Sequence, residues 1–286
     1  LNQHSILMSI KVKKDRVEIG PMMIGICGAP NKGKSTFFNA LTLADVEVAD
    51  YPFTTIEPNR GVTFVRSKCP CAEFGVKCNP RYGKCVDGTR YVPITVVDVA
   101  GLVPDAYMGR GLGNQFLTDI SHADALIHVI DASGRTDLEG KSCKEPVDPA
   151  EEIIFLKREL AHWVKGILDR NWGKIRLRDI KRLSEILAGL KIRFEAVEEV
   201  VTQLELEAER IDWNEDEKYK FSERILEISK PIVVAANKID LPGALENARK
   251  LKERFTDKGI IVVPTSAIIE YALRKAANSG LIEYSP

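Results

Sequence analysis

The sequence predicts an α/β fold with a doubly wound, mainly parallel sheet and an inserted α-helical coiled-coil domain. Three observations carry that prediction. Apolar strand-like runs recur at Met22 to Cys27, Gly61 to Val65, Tyr91 to Val97, Ala125 to Ile130, Ile232 to Ala236 and Ile260 to Val263, and most are followed by helical stretches. That alternation is the signature of crossover units building a parallel sheet. The rhythm stops between about Lys144 and Lys230, where no strand-like run occurs and the chain turns helical and heavily charged. Finally, a glycine-rich loop joins the first run to a helix start, the context in which such loops cradle phosphates.

Composition bounds the rest. The chain has 286 residues, 44% of them apolar, which is enough to bury one large core or two smaller ones. Its 41 Lys plus Arg balance 41 Asp plus Glu, so no global field holds a polyanion and any nucleic-acid contact must come from a local basic patch. Runs such as Pro231 to Ala236 and Ile260 to Pro264 fall far short of the ~20 residues that span a bilayer, so no membrane partner is expected. No charged, apolar and small-residue leader opens the sequence, and six cysteines are not spaced as a disulfide framework. The expected compartment is the cytoplasm.

Residues 1–21 carry no motif and are read as an N-terminal extension without an assigned role. Gly28-Ala29-Pro30-Asn31-Lys32-Gly33-Lys34-Ser35 then fits G-x-x-x-x-G-K-S. The expected contacts to a nucleotide run through Asn31, Lys32, Gly33, Lys34, Ser35 and Thr36. Backbone N–H groups turn to the β-phosphate, Lys34 neutralises β- and γ-oxygens, and the Ser35 hydroxyl ligates Mg2+. Tyr51-Pro52-Phe53-Thr54-Thr55 follows in a loop where Thr55 is expected to reach Mg2+ only when a γ-phosphate is present. Asp98-Val99-Ala100-Gly101 matches D-x-x-G, with Asp98 holding Mg2+ through water and the Gly101 N–H sensing the γ-phosphate. Lys34, Thr55 and Gly101 are therefore the catalytic candidates.

Cys69, Cys71, Cys78 and Cys85 lie in a polar loop, 67–88, interleaved with prolines and glycines. Two readings stand: a tetrahedral Zn2+ site, or reduced or disulfide-linked surface cysteines.

Asp148-Pro149-Ala150-Glu151 gives an N-cap, a proline at the first helical position and a carboxylate at the third, so a helix should run from there to about Asp169. Leu183, Leu187, Leu190, Phe194, Val197, Val201, Leu204, Ala208 and Ile211 step by threes and fours, as a coiled-coil seam does. A turn near Gly189 or Ile192 folds it into an antiparallel hairpin; the alternative is one long helix packed on the sheet. Lys174, Arg178, Lys181 and Arg182 fall on one face of a helix, with Arg176 close by, either gripping RNA phosphates or pairing with glutamates of the next helix.

Asn237-Lys238-Ile239-Asp240 follows an apolar run and matches N-K-x-D. The Asp240 carboxylate can accept from both the ring N1–H and the exocyclic amine of guanine, which adenine cannot offer. Two charge-assisted bonds there give on the order of 10^2 to 10^4 in discrimination. Thr265-Ser266-Ala267 supplies the loop whose Ser266 and Ala267 amides meet the guanine carbonyl.

Together these elements resemble the translation-factor-related P-loop GTPases. Tyr51 to Asn59, Asp98 to Val103 and the run from Gly109 to Leu117 are similar to the Obg family, and within it to the YchF subfamily in its archaeal form. The resemblance implies a G domain in two parts, 22–143 and 231–286, separated by the helical insertion 144–230 where that subfamily carries its coiled coil. It implies a guanine-nucleotide switch that hydrolyses GTP and associates with ribosomes. Many bacterial and eukaryotic members have lost N-K-x-D and prefer ATP, whereas this chain keeps Asn237, Lys238 and Asp240. The subfamily normally ends in a small β-grasp domain, and the sequence stops at Pro286 where the linker to it begins.

Many GTPases orient the attacking water with a glutamine directly after D-x-x-G, but Leu102 stands there. Slow intrinsic turnover is expected, with the missing group supplied from elsewhere. His122 is the nearest histidine in sequence and reads as structural; the loop from Ala132 to Glu145, where some bacterial relatives carry a catalytic histidine, has none. Asn31 occupies the position of the K+ ligand in K+-stimulated relatives, which makes K+ the candidate accessory cation. The two rival readings are an ATP-preferring hydrolase of the same fold and a nucleotide-gated RNA- or ribosome-binding module with negligible turnover.

Overall fold

The computed structural model describes residues 22–43, 59–108 and 113–284. The expectations for residues 1–21, for Thr54 and Thr55, and for residues 109–112 lie outside the described residues.

In chain order the elements are β1 (Met23–Cys27), α1 (Lys34–Thr42), β2 (Arg60–Lys68), the short α2 (Cys71–Phe74), β3 (Lys84–Val86) and β4 (Thr89–Asp98). After them come a 3-10 turn (Ala106–Met108), α3 (Gly113–His122) and β5 (Ala125–Asp131). Four helices follow, α4 (Ala150–Ile175), α5 (Ile180–Leu187), α6 (Phe194–Gln203) and α7 (Glu215–Ser229), with a 3-10 turn at Ala188–Leu190. The chain then closes with β6 (Ile232–Asn237), α8 (Ala244–Thr256), β7 (Ile261–Pro264) and α9 (Ala267–Asn278).

The strands form one sheet in the order β2, β4, β1, β5, β6, β7, with β3 also on β4. β1 pairs in parallel with β4 and β5, and β5–β6 and β6–β7 continue the parallel set. β2 and β3 run antiparallel to β4, which makes the sheet mixed at that edge. The three-residue β3 carries too few apolar residues for a periodicity to reveal it.

Alternation along the strands sorts the core onto two faces. Ile26, Val96, Val129 and Ala235 point to one side, where Phe37 and Phe38 of α1 cover them. Their neighbours Cys27, Val97 and Leu126 point to the other, into a continuous cluster with Phe116 and Ile120 of α3 and with Phe155, Leu156 and Leu160 of α4. Ile130, Val234 and Ala236 face the same way and are covered by Ala248, Leu251 and Phe255 of α8. The phosphate loop leaves the carboxyl end of β1, between these layers, where ligands bind in such folds.

The inserted helices differ from the expected coiled-coil hairpin. The chain does turn at Ala188–Leu190, but α5 and α6 have only eight and ten residues, too short to wind about each other over several heptads. Leu183, Leu187, Leu190, Val197, Val201 and Ile211 are instead buried in the same cluster as α4 and α7, so their spacing marks helices that cap a larger helical pair. α4 runs to Ile175, past the expected end at Asp169. It starts at Ala150, one residue later than expected, with Pro149 in the flanking position, and Asp148 Oδ1 still accepts from the Ala150 N–H at 2.9 Å.

The basic stripe is also broken. Lys174 lies in the last turn of α4, Leu177 takes φ 63°, and Asp179 caps α5, so Lys174 and Arg178 do not share a helix face with Lys181 and Arg182. Arg182 pairs with Glu185 of its own helix and Arg176 with Asp212, rather than with the glutamates of α6. Among the described residues no helix is long and apolar enough to cross a membrane.

Candidate nucleotide-binding site

The loop after β1 is shaped by two glycines. Gly28 has φ 149°, and a Cβ there would lie 2.3 Å from the Val129 carbonyl oxygen of β5. Gly33 has φ 89°, and a Cβ there would lie 2.4 Å from Nδ2 of Asn237. Only glycine permits both the backbone turn and that close approach. Lys34, Ser35 and Thr36 open α1, so their amide N–H groups have no carbonyl one turn back and offer an anion-binding end.

Lys34 and Ser35 meet Asp98 at the end of β4. Lys34 Nζ donates to Asp98 Oδ1 at 3.0 Å, and Ser35 Oγ donates to Oδ2 at 2.8 Å. A hydroxyl and a carboxylate that converge at a helix N-terminus are the hard oxygen donors that Mg2+ prefers. Gly101 lies against the loop, since a Cβ on it would be 3.4 Å from Pro30 Cγ, and the Leu102 N–H donates to the Gly28 carbonyl at 3.1 Å. The Leu102 side chain is fully buried in the core, so it cannot face a water at the γ-phosphate position.

Lys32 corrects an expectation. Its side chain is fully buried and turned away from the nucleotide side of the loop. Nζ donates to the Thr136 carbonyl at 2.9 Å, to Thr136 Oγ1 at 2.8 Å and to Glu152 Oε1 at 3.0 Å. A buried ammonium needs such partners, and those available lie under the loop in α4 and in the segment after β5. Only the backbone of Lys32 remains in the phosphate loop. Burial pushes the Glu152 carboxyl up to about 7, against the opposing pull of Lys32.

Asp131, at the end of β5, organises the same region. Its carboxylate accepts from Ser133 Oγ at 2.6 Å, Thr136 Oγ1 at 2.7 Å and Lys238 Nζ at 2.9 Å. Burial acts to raise its carboxyl, but these bonds outweigh that and hold it below the ordinary range. Sequence reasoning missed Asp131 and Glu152. A carboxylate closing the apolar run Ala125 to Ile130 was the available signal for the first, and none existed for the second.

Asn237, Lys238 and Asp240 come together as expected, with distinct parts to play. Asn237 is buried, and its amide ties two loops: Nδ2 donates to the Lys32 carbonyl and Oδ1 accepts from the Ala267 N–H, both at 2.9 Å, so the Ala267 amide expected to meet the guanine carbonyl is instead engaged by Asn237 in this structure. It is a positioning residue. Lys238, at φ 64°, lays its side chain over the phosphate loop, with Nζ donating to the Asn31 carbonyl at 2.8 Å. Asp240 is exposed, and its Oδ1 accepts from Ser266 Oγ at 2.5 Å, which orients the carboxylate. Asn31 itself takes φ 61° and donates from Nδ2 to the Gly140 carbonyl at 2.9 Å.

α4 touches the site twice. Glu152 holds Lys32, and two turns later Glu159 accepts from the backbone N–H groups of Asp105 and Tyr107, each at 3.3 Å, in the turn that follows D-x-x-G.

The four loop cysteines also come together. Cys69, Cys71, Cys78 and Cys85 bring their sulfurs within 4.8 Å of one another.

Comparison with known proteins agrees with this geometry. Residues 23–158 match the family described as 50S ribosome-binding GTPase, and residues 235–286 match the G4 motif-containing domain of the Obg-like YGR210-like GTPases. An uncharacterized GTP-binding protein of Methanocaldococcus jannaschii is 47% identical over 91% of this chain and 67% of its own length. The ribosome-binding ATPase YchF of Pasteurella multocida is 33% identical over 91% of this chain and 69% of its own. Among solved structures, a GTP-binding protein of Pyrococcus horikoshii OT3 aligns with a TM-score of 0.74 at 37% identity, covering 93% of this chain and 70% of that one. The chain thus spans about two thirds of the length of these relatives.

Proposed function

The chain belongs to the Obg-like/YchF family of P-loop GTPases, and from that premise we propose that it is a Mg2+-dependent GTP-binding protein that hydrolyses GTP to GDP and phosphate as a ribosome-associated switch. The observation that carries the guanine reading is Asp240, exposed and oriented by the Ser266 hydroxyl at 2.5 Å. A fixed carboxylate there accepts two hydrogen bonds from guanine and meets an acceptor and a C–H on adenine.

Mg2+, when bound, supplies the positive charge that neutralises the β- and γ-phosphate oxygens. Ser35 and Asp98 are the residues that would hold it, joined by Thr55 from the loop outside the described residues. Lys34 balances phosphate charge, and the Gly101 N–H senses the γ-phosphate from its place against Pro30. Asn31 is the proposed K+ ligand. The buried Leu102 leaves the water-orienting role to another group, which supports slow intrinsic turnover. A ribosomal partner rests on the family matched at residues 23–158 and on relatives described as ribosome-binding ATPases.

Calorimetric titration of nucleotide-free protein with GDP and then ADP, repeated for Asp240→Ala, tests the reading. The expected result is a preference for GDP of at least ~100-fold that the variant loses. Equal or tighter ADP binding by the parent chain would make it an ATP-preferring hydrolase of the same fold.

A further inference from the structure

Between β2 and β4 the chain makes an excursion that has almost no core. Across residues 67–88 only Cys69 is buried, while Phe74 and Val76 are 75% and 58% exposed and Tyr82 and Val86 also face solvent. α2 has four residues and β3 has three, neither long enough to hold itself. Yet the excursion is ordered around one point. Cys69 follows β2, Cys71 starts α2, Cys78 sits in the loop between and Cys85 lies in β3, and their four sulfurs converge there.

The distances discriminate between the chemistries open to these thiols. Cys69 Sγ is 3.6 Å from Cys78 Sγ, and Cys71 Sγ is 3.6 Å from Cys85 Sγ. A disulfide requires ~2.05 Å. Four sulfurs at ~2.3 Å from a central Zn2+ in a tetrahedron stand ~3.8 Å apart, a spacing bracketed by the two pairs at 3.6 Å and the 4.8 Å within which all four lie. Two separate disulfides would give no reason for both pairs to share one centre. The surroundings also suit a thiolate site, whose four charges exceed those of the ion by two: Arg90 directs Nη1 at Cys78 Sγ at 3.8 Å and anchors Nη2 on the Tyr82 carbonyl at 3.0 Å.

We propose that Cys69, Cys71, Cys78 and Cys85 form a closed structural Zn2+ site that serves as the core of this excursion. Because each ligand comes from a different local segment, the ion ties the end of β2, α2, the loop and β3 into one unit. Nothing in the assignment depends on which nucleotide the chain binds.

The test uses the full chain, expressed with added zinc and purified under a non-thiol reductant. About one equivalent of zinc per chain is expected, and exchange with Co2+ should give the absorption of a tetrahedral tetrathiolate ion. Cys143→Ser, outside the cluster, should keep the metal, while Cys71→Ser/Cys85→Ser should bind it at least ~100-fold more weakly. Because an unfolded variant would also lose zinc, the parent protein is assayed in parallel with a chelator. Four thiols should become reactive and cleavage within 67–88 should accelerate ~10-fold, while GDP affinity stays within about twofold. Less than ~0.2 equivalents of zinc with free thiols, iron in its place, or Cys69–Cys78 and Cys71–Cys85 disulfides under reductant would each overturn the proposal.

Discussion

The ammonium of Lys32, fully buried beneath the phosphate loop, donates to the carboxylate of Glu152 at 3.0 Å across 120 positions of the chain. Two residues further on, Lys34 points the other way, to Asp98. One lysine of the motif therefore meets the carboxylate that closes β4 and the other is spent on the scaffold.

Breaking the buried pair from one side should be costly. Above the pH of about 7 at which Glu152 ionises, Glu152→Ala leaves Lys32 without its counter-charge and should lower stability by about 3–5 kcal/mol, measured by urea unfolding. Lys32→Met/Glu152→Leu removes both charges together and should come within about 1 kcal/mol of the parent chain or exceed it. A Glu152→Ala loss below about 1 kcal/mol would show that the pair contributes no such constraint.

Two buried groups set opposite pH dependences. Burial drives His128 down to about 3, so the unfolded state takes the proton first and stability falls as pH drops below ~6.5. Glu152, pushed up to about 7, takes its proton first in the folded state, so its contribution is full below ~4.5 and is lost as pH rises through 7. Between ~4.5 and ~6.5 the two slopes, each about 1.4 kcal/mol per pH unit, oppose each other. Relative to the parent chain, His128→Gln should gain stability as pH falls through that window and Glu152→Gln should lose it. Parallel stability curves for all three proteins would refute both assignments.

At the opposite side of the loop, Lys34→Ala should weaken GDP binding by roughly 10- to 150-fold, the worth of one charge-assisted contact. Ser35→Ala and Asp98→Asn should act differently, reducing the gain in affinity that Mg2+ brings while sparing binding in its absence. Titrations with and without Mg2+ separate the two behaviours. Equal losses in both conditions would remove Ser35 and Asp98 from the metal.

Asn31, the candidate K+ ligand, predicts faster phosphate release in K+ than in Na+ at equal ionic strength. Asn31→Ala should abolish the difference, and equal rates in the parent chain would exclude the role.

Sequence pattern revealed the parts whose chemistry is local. The phosphate loop, D-x-x-G and N-K-x-D each carry spacing and strand context within a few residues, and Lys34, Ser35, Asp98 and Asp240 lie where those patterns put them. Lys32 could not be read that way, because its place in the motif accepts any residue and its partner lies in a distant helix. The break between α4 and α5 was hidden for another reason. Its residues are good helix formers, and a non-glycine, Leu177, takes the positive φ that a glycine would have announced.

The two glutamates of α4 turn that helix into a lever. Glu152 fixes it beneath the phosphate loop, and Glu159, seven residues and ~10.5 Å along, fixes it to the turn beyond D-x-x-G. From Glu159 to Ile175 a further 16 residues extend ~24 Å. A tilt of about 5° about Glu152 moves Glu159 by about 0.9 Å and the end at Ile175, ~34.5 Å from the pivot, by about 3 Å. The remote end of the helical insertion, where α4 breaks toward α5, thus moves about three times as far as the turn beyond D-x-x-G for any tilt of the helix about its buried glutamate.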